Sequence, residues 1–353
     1  MESRSMELFK SSIKTKATLK SFTYNLKMFL EFAKHTPDSL IKLKKKEIEN
    51  LLIDYVIYHK KRIEDGEMSA NSMGDKIGAI FKFLKANGKK IDKEMITQHY
   101  PDKVKRGGER AITDDEIRKL LSFADVRERA LIHAIACTGC RPEALSELKM
   151  KHVEEYQDGF TKVTFYADDF KHEYITFLSP EATNAFNEYL AWRIRNGEKI
   201  TDDSYFFNTI HAHKYKKASV ATMQTTMHRL MKISGIERVK TGNRYDLATY
   251  GGFRKRFITK LGLIPEISEN TLQILVDHTG YLSGHYRKPT EEQIFNEYKK
   301  AVSSLAISRE YQLKQELQEK TKDNIEEKDR RIASLEATVS KLELMLVELS
   351  KKI

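Results

Sequence analysis

The chain of 353 residues has only two cysteines, Cys137 and Cys140, so no disulfide framework can hold it together. Their C-x-x-C spacing invites a redox reading, but the pair spans a helix end and no thioredoxin-like βαβ pattern precedes it. Long apolar runs are missing as well. No stretch approaches membrane-spanning length, and residues 1–20 are polar and mixed in charge, unlike a signal peptide. A cytoplasmic protein with no membrane partner is expected. Nucleotide-binding motifs are absent, and the histidines of His211-Ala212-His213 and His285 lack carboxylate or cysteine partners at fitting spacing. No cofactor and no metal are expected.

Positive charge is present in excess, and it is unevenly placed. The formal net charge is +11, with 24 Lys and Arg against 15 Asp and Glu in residues 1–110. Residues 111–308 hold 28 against 26, and residues 309–353 hold 10 against 10. Basic clusters at residues 42–46, 59–62, 89–93 and 103–110 give the N-terminal third a field that attracts phosphate. The plainer alternative for that region is a solvated, lysine-rich helix surface. The neutral tail is excluded as an electrostatic nucleic-acid arm.

The pattern predicts a mainly α protein with a small β-hairpin sheet, in three parts: 1–105, 111–308 and 309–353. Helical spacing of Leu19, Phe22, Leu26, Phe29 and Leu30 marks a helix over 17–34, and two more follow around 48–58 and 69–84. Residues 100–110, with Pro101, four basic residues and Gly107-Gly108, read as a linker. Thr113-Asp114-Asp115-Glu116 opens the second part with capping-box spacing. Gly139 can end the apolar helix around 130–136, and Pro142 suits the first position of the next, which places Arg141 at a helix N-terminus where an anion is favoured. Residues 160–178 alternate around Asp168-Asp169 as a hairpin with Lys171 just past its tip. Further helices are predicted near 180–195, 221–233, 254–261 and 270–276. From Ile325 onward, Ile325, Ile332, Val339, Leu346 and Ile353 recur every seven residues, with Leu335, Leu342 and Leu349 as a second seam. That spacing predicts a coiled coil, and β-branched residues on one seam with leucine on the other favour a parallel dimer.

Five side chains carry the candidate chemistry. Arg141 lies in Thr138-Gly139-Cys140-Arg141-Pro142, Lys171 follows the hairpin tip, and Arg254 lies in Gly252-Phe253-Arg254-Lys255-Arg256-Phe257. His278 lies in Val276-Asp277-His278-Thr279 and Tyr286 in Gly284-His285-Tyr286-Arg287. Two guanidiniums can clamp the non-bridging oxygens of a phosphodiester, and a phenol can attack it. The order arginine, hairpin lysine, arginine, histidine, tyrosine behind a basic helical region resembles the tyrosine recombinases, the phage-type integrase family. More specifically it is similar to the divergent integrases of archaea and their mobile elements, over roughly residues 1–300.

The resemblance implies a helical core-binding domain followed by a catalytic domain that starts near Ala111. Arg141 and Arg254 are then assigned to the scissile phosphate, Lys171 to protonation of the departing 5′ oxygen, and His278 to a phosphate hydrogen bond or a proton relay. Tyr286 becomes the nucleophile, with a 3′-phosphotyrosyl link as product and no need for ATP or metal. Double-stranded DNA is the implied partner and four self-associated protomers the implied assembly, with the protein at the nucleoid. The helix of Ile294, Phe295 and Tyr298 matches one that the family often donates to a neighbouring protomer. Integration or excision of a mobile element is the implied task; a chromosome-dimer resolvase of the same family and a catalytically silent DNA-binding relative are the alternatives. Three departures stand out. Gly251 replaces the usual histidine or lysine three residues before Arg254, with Tyr250 an adjacent substitute or the glycine pair a turn before the helix. Ala144 replaces an acidic residue whose structural role falls to Glu143 or Glu147. Tyr281 also follows His278 as a rival nucleophile, although the spacing of Tyr286 and its following Pro289-Thr290 fit better.

Overall fold

The computed structural model describes residues 3–102, 109–168, 172–211, 214–241, 244–277 and 289–350. Contacts divide the chain into two compact units, Met1–Gly108 with Val239–Asp246, and Glu109–Arg238 with Leu247–Ile353.

In the first unit, amphipathic periodicity becomes three long helices, Lys16–Ala33, Lys45–Glu64 and Met73–Ala86. They bury Leu26, Phe29, Leu52, Tyr55, Ile80 and Phe83 against one another and against Phe9 of the short helix Arg4–Ser11. Edge-to-face pairs, Phe9 with Phe83 and Phe29 with Tyr55, fill the centre. The shorter helices, Arg4–Ser11, Pro37–Lys42 and Lys93–Thr97, have too few turns to show a period in the sequence.

The second unit opens on the predicted capping box. The Thr113 hydroxyl accepts from the Glu116 amide at 3.2 Å, and the Glu116 carboxylate accepts from the Thr113 amide at 2.9 Å, starting helix Asp114–Leu121. Helix Val126–Thr138 follows, buried along Ala130, Leu131, Ile132, Ala134, Ile135 and Ala136, and it packs against helices Pro180–Arg195 and Thr249–Gly262. The predicted hairpin is the larger part of a three-stranded antiparallel sheet of β1 (Val153–Glu155), β2 (Thr161–Phe165) and β3 (Tyr174–Leu178). Val163 pairs with both Val153 and Thr176, so every second residue of β2 faces the core. Two further two-stranded ribbons complete the β structure among the described residues, Asn208–His211 with Lys214–Lys217 in this unit and Lys240–Thr241 with Arg244–Tyr245 in the first. The first ribbon places His211 at a strand end.

Helix Glu291–Lys299 is capped reciprocally by Thr290 and Gln293. Its Ile294, Phe295 and Tyr298 are buried in this same chain, and the Tyr298 hydroxyl donates to the Cys137 carbonyl at 2.8 Å. The element that the resemblance implies is donated to a neighbour therefore packs on its own unit here. The chain then enters helix Arg309–Ser350, whose root is fixed. The Glu181 carboxylate accepts the amides of Ile307 and Ser308 at 2.9 and 2.8 Å, and Arg118 donates to the Ile307 carbonyl at 2.8 Å. Along this helix Ile325, Ile332, Leu335 and Val339 are all more than half exposed. Among the described residues no helix is long and apolar enough to cross a membrane.

One charged network joins several of these elements. Arg256, almost fully buried, meets Asp114 at 2.6 Å and donates to the carbonyls of Ala136 and Leu305. Lys260 also reaches Asp114 at 2.6 Å. Burial opposes ionisation of Asp114, but the Arg256 and Lys260 charges and hydrogen bonds outweigh it and hold the carboxyl below its ordinary range. Its ionisation therefore adds stability that is fully present above the unfolded pKa and is lost as pH falls through the lower folded value. Asp114→Asn is expected to cost about 2–3 kcal/mol at pH 7, less than the ~3–5 of a fully buried pair because Asp114 keeps some exposure. In urea unfolding the gap to wild type should hold between pH 7 and about 5 and begin to close below about 4. A gap of undiminished size at pH 2 would show that charge is not its origin.

Candidate active site

The turn at Gly139 organises the site. Gly139 ends helix Val126–Thr138 in a left-handed conformation, φ 58°, and sends the chain into helix Pro142–Glu147 with Arg141 at its N-cap. Only glycine fits there, because a Cβ would stand 2.7 Å from the Phe257 ring. The Arg141 side chain is 40% exposed, and its Nη1 donates to an Asp277 carboxylate oxygen at 3.0 Å.

Arg254 comes from helix Thr249–Gly262, which begins five residues before the predicted start. Its Nη1 donates to the Gly139 carbonyl at 2.9 Å and its Nη2 to the Val276 carbonyl. Burial first, and then the neighbouring Arg141 charge, lower its pKa, although a guanidinium stays protonated at any physiological pH. The structure thus brings Arg141 and Arg254 together at the end of helix Glu269–Leu275, where the chain turns through Val276 and Asp277. Lys171, His278 and Tyr286 lie outside the described residues, as do Tyr281 and His285.

The departures noted in the sequence have physical readings. Gly251 and Gly252 are not a turn before the helix but part of its first turns. A Cβ at Gly252 would stand 2.5 Å from Leu247, and one at Gly251 would stand 3.1 Å from the Ala248 Cβ. Tyr250 is a core residue whose buried hydroxyl has no partner among the described residues, and burial raises its pKa, which makes it a poor substitute base. Glu147 is drawn to Lys217. The carboxylate that meets Arg141 is instead Asp277, which the sequence reading passed over. Asp277 has φ 51°, a conformation open to glycine and, among other residues, best tolerated by Asp and Asn. The resemblance to the tyrosine recombinases implies a glycine at this position, and that departure is the signal the sequence offers.

Tyr174 on β3 is a second residue that the sequence did not mark. Its hydroxyl is buried with no hydrogen-bond partner among the described residues, and burial raises its pKa strongly, with Arg254 and Asp277 both within electrostatic reach. Cys137 and Cys140 are buried, and burial pushes both thiols up to about 12. Neither is a thiolate at neutral pH, so the C-x-x-C spacing offers no reactive nucleophile.

No protein-family model matches the sequence, and no curated protein does. Solved structures do match the fold. A lambda integrase tetramer bound to a Holliday junction superposes with a TM-score of 0.52 at 17% identity, over 80% of this chain and 76% of that one. The Tn1549 transposon integrase, in complex with transposon right-end DNA, gives 0.51 at 14% identity, over 84% of this chain and 98% of the other. XerH recombinase bound to palindromic difH substrate gives 0.50 at 16% identity, over 74% and 73%. The chain has the fold of the tyrosine recombinases.

Gly139→Ala is expected to cost about 2–4 kcal/mol in urea unfolding, from a left-handed alanine and the displaced Phe257 ring together. A loss below about 1 kcal/mol would mean that the turn relaxes and does not fix the two arginines.

Proposed function

We propose that this protein is a site-specific DNA recombinase of the tyrosine type, which cleaves and rejoins duplex DNA to integrate and excise a mobile element. One observation carries the reading: within a recombinase fold, Arg141 from a helix N-cap and Arg254 from within a separate helix converge on one junction of the chain. The N-terminal unit, with its excess of Lys and Arg, supplies the non-specific attraction to the DNA backbone.

The roles follow from the chemistry. A phenol with pKa near ~10 is a poor nucleophile at neutral pH unless the phosphate charge is neutralised and its proton is accepted. Arg141 and Arg254 neutralise the phosphate and favour the more negative pentavalent transition state, at about 3 kcal/mol for each charged donor. Tyr286 attacks the phosphorus and leaves a 3′-phosphotyrosyl link, while Lys171 protonates the departing 5′ oxygen. His278 hydrogen-bonds the phosphate or relays the proton. The link conserves the energy of the broken bond, so rejoining is the reverse attack by a 5′ hydroxyl. Gly251, in place of the family's usual histidine or lysine, favours one second reading, a silent relative that binds DNA without cutting it.

A nicked suicide duplex, incubated with the protein in EDTA, separates the two. Covalent adduct is expected from wild type and none from Tyr286→Phe, with Arg141→Ala and Arg254→Ala each slower by at least roughly 100-fold. Adduct formation by Tyr286→Phe would remove Tyr286 as nucleophile, and loss in Tyr281→Phe alone would transfer the role. DNA binding by wild type with no adduct would favour the silent reading.

We also propose that helix Arg309–Ser350 pairs with the same helix of a second copy. Ile325, Ile332, Leu335 and Val339 expose an apolar stripe with heptad spacing and no surplus charge, the surface that a parallel coiled coil buries. Joined protomers hold their partners at high effective concentration while two duplexes are brought together. Deletion of residues 320–353 should leave single-site cleavage nearly intact and weaken self-association. Light scattering that gives identical masses for full-length and truncated protein across micromolar concentrations would refute the pairing.

A further inference from the structure

Every ionisable group in contact with Arg141 bears on how that guanidinium can meet a phosphate, and Asp277 is the carboxylate in direct contact. Its carboxylate is only 9% exposed, whereas Arg141 is 40% exposed, so the pair has a buried acidic end and an open basic end. The contact is single: one oxygen of Asp277 meets Nη1. A guanidinium carries five donors in a rigid plane, and fixing one edge sets the direction of the rest. The backbone at Asp277 points the same way. A glycine would hold φ 51° without strain, whereas aspartate accepts the left-handed conformation and in return presents a carboxylate to Arg141. The preceding residue, Val276, gives its carbonyl to Arg254, so two adjacent residues hold the two arginines.

We infer that Asp277 is a positioning residue for Arg141: its buried carboxylate fixes the guanidinium plane so that the exposed edge meets the scissile phosphate. This rests on the recombinase reading. The rival is simple competition, in which a carboxylate on Arg141 repels the incoming phosphate and must be displaced. The two differ in sign. Removal of a negative charge that only competes speeds cleavage and tightens DNA binding; removal of a positioning group slows cleavage although the site becomes more positive.

Two variants at this residue separate carboxylate from backbone. Asp277→Gly keeps the left-handed turn and deletes the carboxylate, and Asp277→Asn keeps both turn and shape but leaves only a neutral acceptor. Both are compared with wild type, Arg141→Ala and the Arg141→Ala/Asp277→Gly double variant. The readouts are single-turnover adduct formation on a nicked duplex, equilibrium affinity for uncut duplex, and thermal stability. Asp277→Gly should lower the cleavage rate roughly 10- to 100-fold, the range for a misplaced catalytic group, with DNA affinity and melting temperature close to wild type. Asp277→Asn should fall between, and the double variant should be no slower than Arg141→Ala alone. A purely structural role would lower the melting temperature and add to the Arg141→Ala defect. Cleavage by Asp277→Gly at or above the wild-type rate, or a double variant slower by the product of the two defects, overturns the inference. Absence of adduct from wild type itself counts against the recombinase reading, and affinity then decides for Asp277. Asp277→Gly affinity equal to or weaker than wild type supports positioning, and tighter binding than wild type is the mark of competition and refutes it.

Discussion

The guanidinium of Arg254 spans two turns, donating to the carbonyl of Gly139 on one side and of Val276 on the other. Each turn holds one further piece of the site: two residues after Gly139 comes Arg141, and directly after Val276 comes Asp277. A carbonyl dipole satisfies donors without cancelling charge. Arg254 is therefore fixed in place and keeps its positive charge for a ligand, which a carboxylate partner would have neutralised. Carbonyls also have no proton to gain or lose near neutrality, so this tie is indifferent to pH.

Helix Thr249–Gly262 separates two uses of arginine on one scaffold. Arg254 and Arg256 are two residues apart and so point to nearly opposite sides of the helix. Arg254 is half-buried beside Arg141, whereas Arg256 enters the interior, where Asp114 neutralises it and the carbonyls of Ala136 and Leu305 take its remaining donors. A buried guanidinium without such a carboxylate would be costly, whereas Arg254, held by two carbonyls, keeps its charge uncompensated by its direct partners. The same residue type is thus compensated in one place and left in surplus in the other.

Much of this was legible in the sequence because its causes are local. A glycine turn followed by proline places Arg141 at a helix start, and Thr113 with Glu116 marks a capping box. What stayed hidden depends on contacts between distant segments. The glycine pair at 251 and 252 reads as a turn by propensity, yet it lies within the first turns of a helix, where Leu247 crowds the space a Cβ at 252 would take. β1 has three residues, too few for alternation to register, and the ribbon around 208–217 alternates weakly through Asn208, Thr209 and Lys214. The partnership of Asp277 with Arg141 could not be read from spacing, since it requires both the fold and a left-handed backbone at a residue that does not announce one.

The root of the tail helix has a geometric consequence. The carboxylate of Glu181 and the guanidinium of Arg118 clamp the backbone at Ile307 and Ser308, immediately before a helix of 42 residues, about 63 Å long at 1.5 Å per residue. A helix clamped at one end has a fixed phase. The azimuth of its apolar stripe relative to the second unit is then set at Ser308 by residue count alone. One residue inserted just after the clamp turns the whole stripe by about 100°, whereas seven restore it to within about 20°. The tail is therefore an indexed shaft, in which chain length between clamp and stripe encodes the direction that the stripe faces.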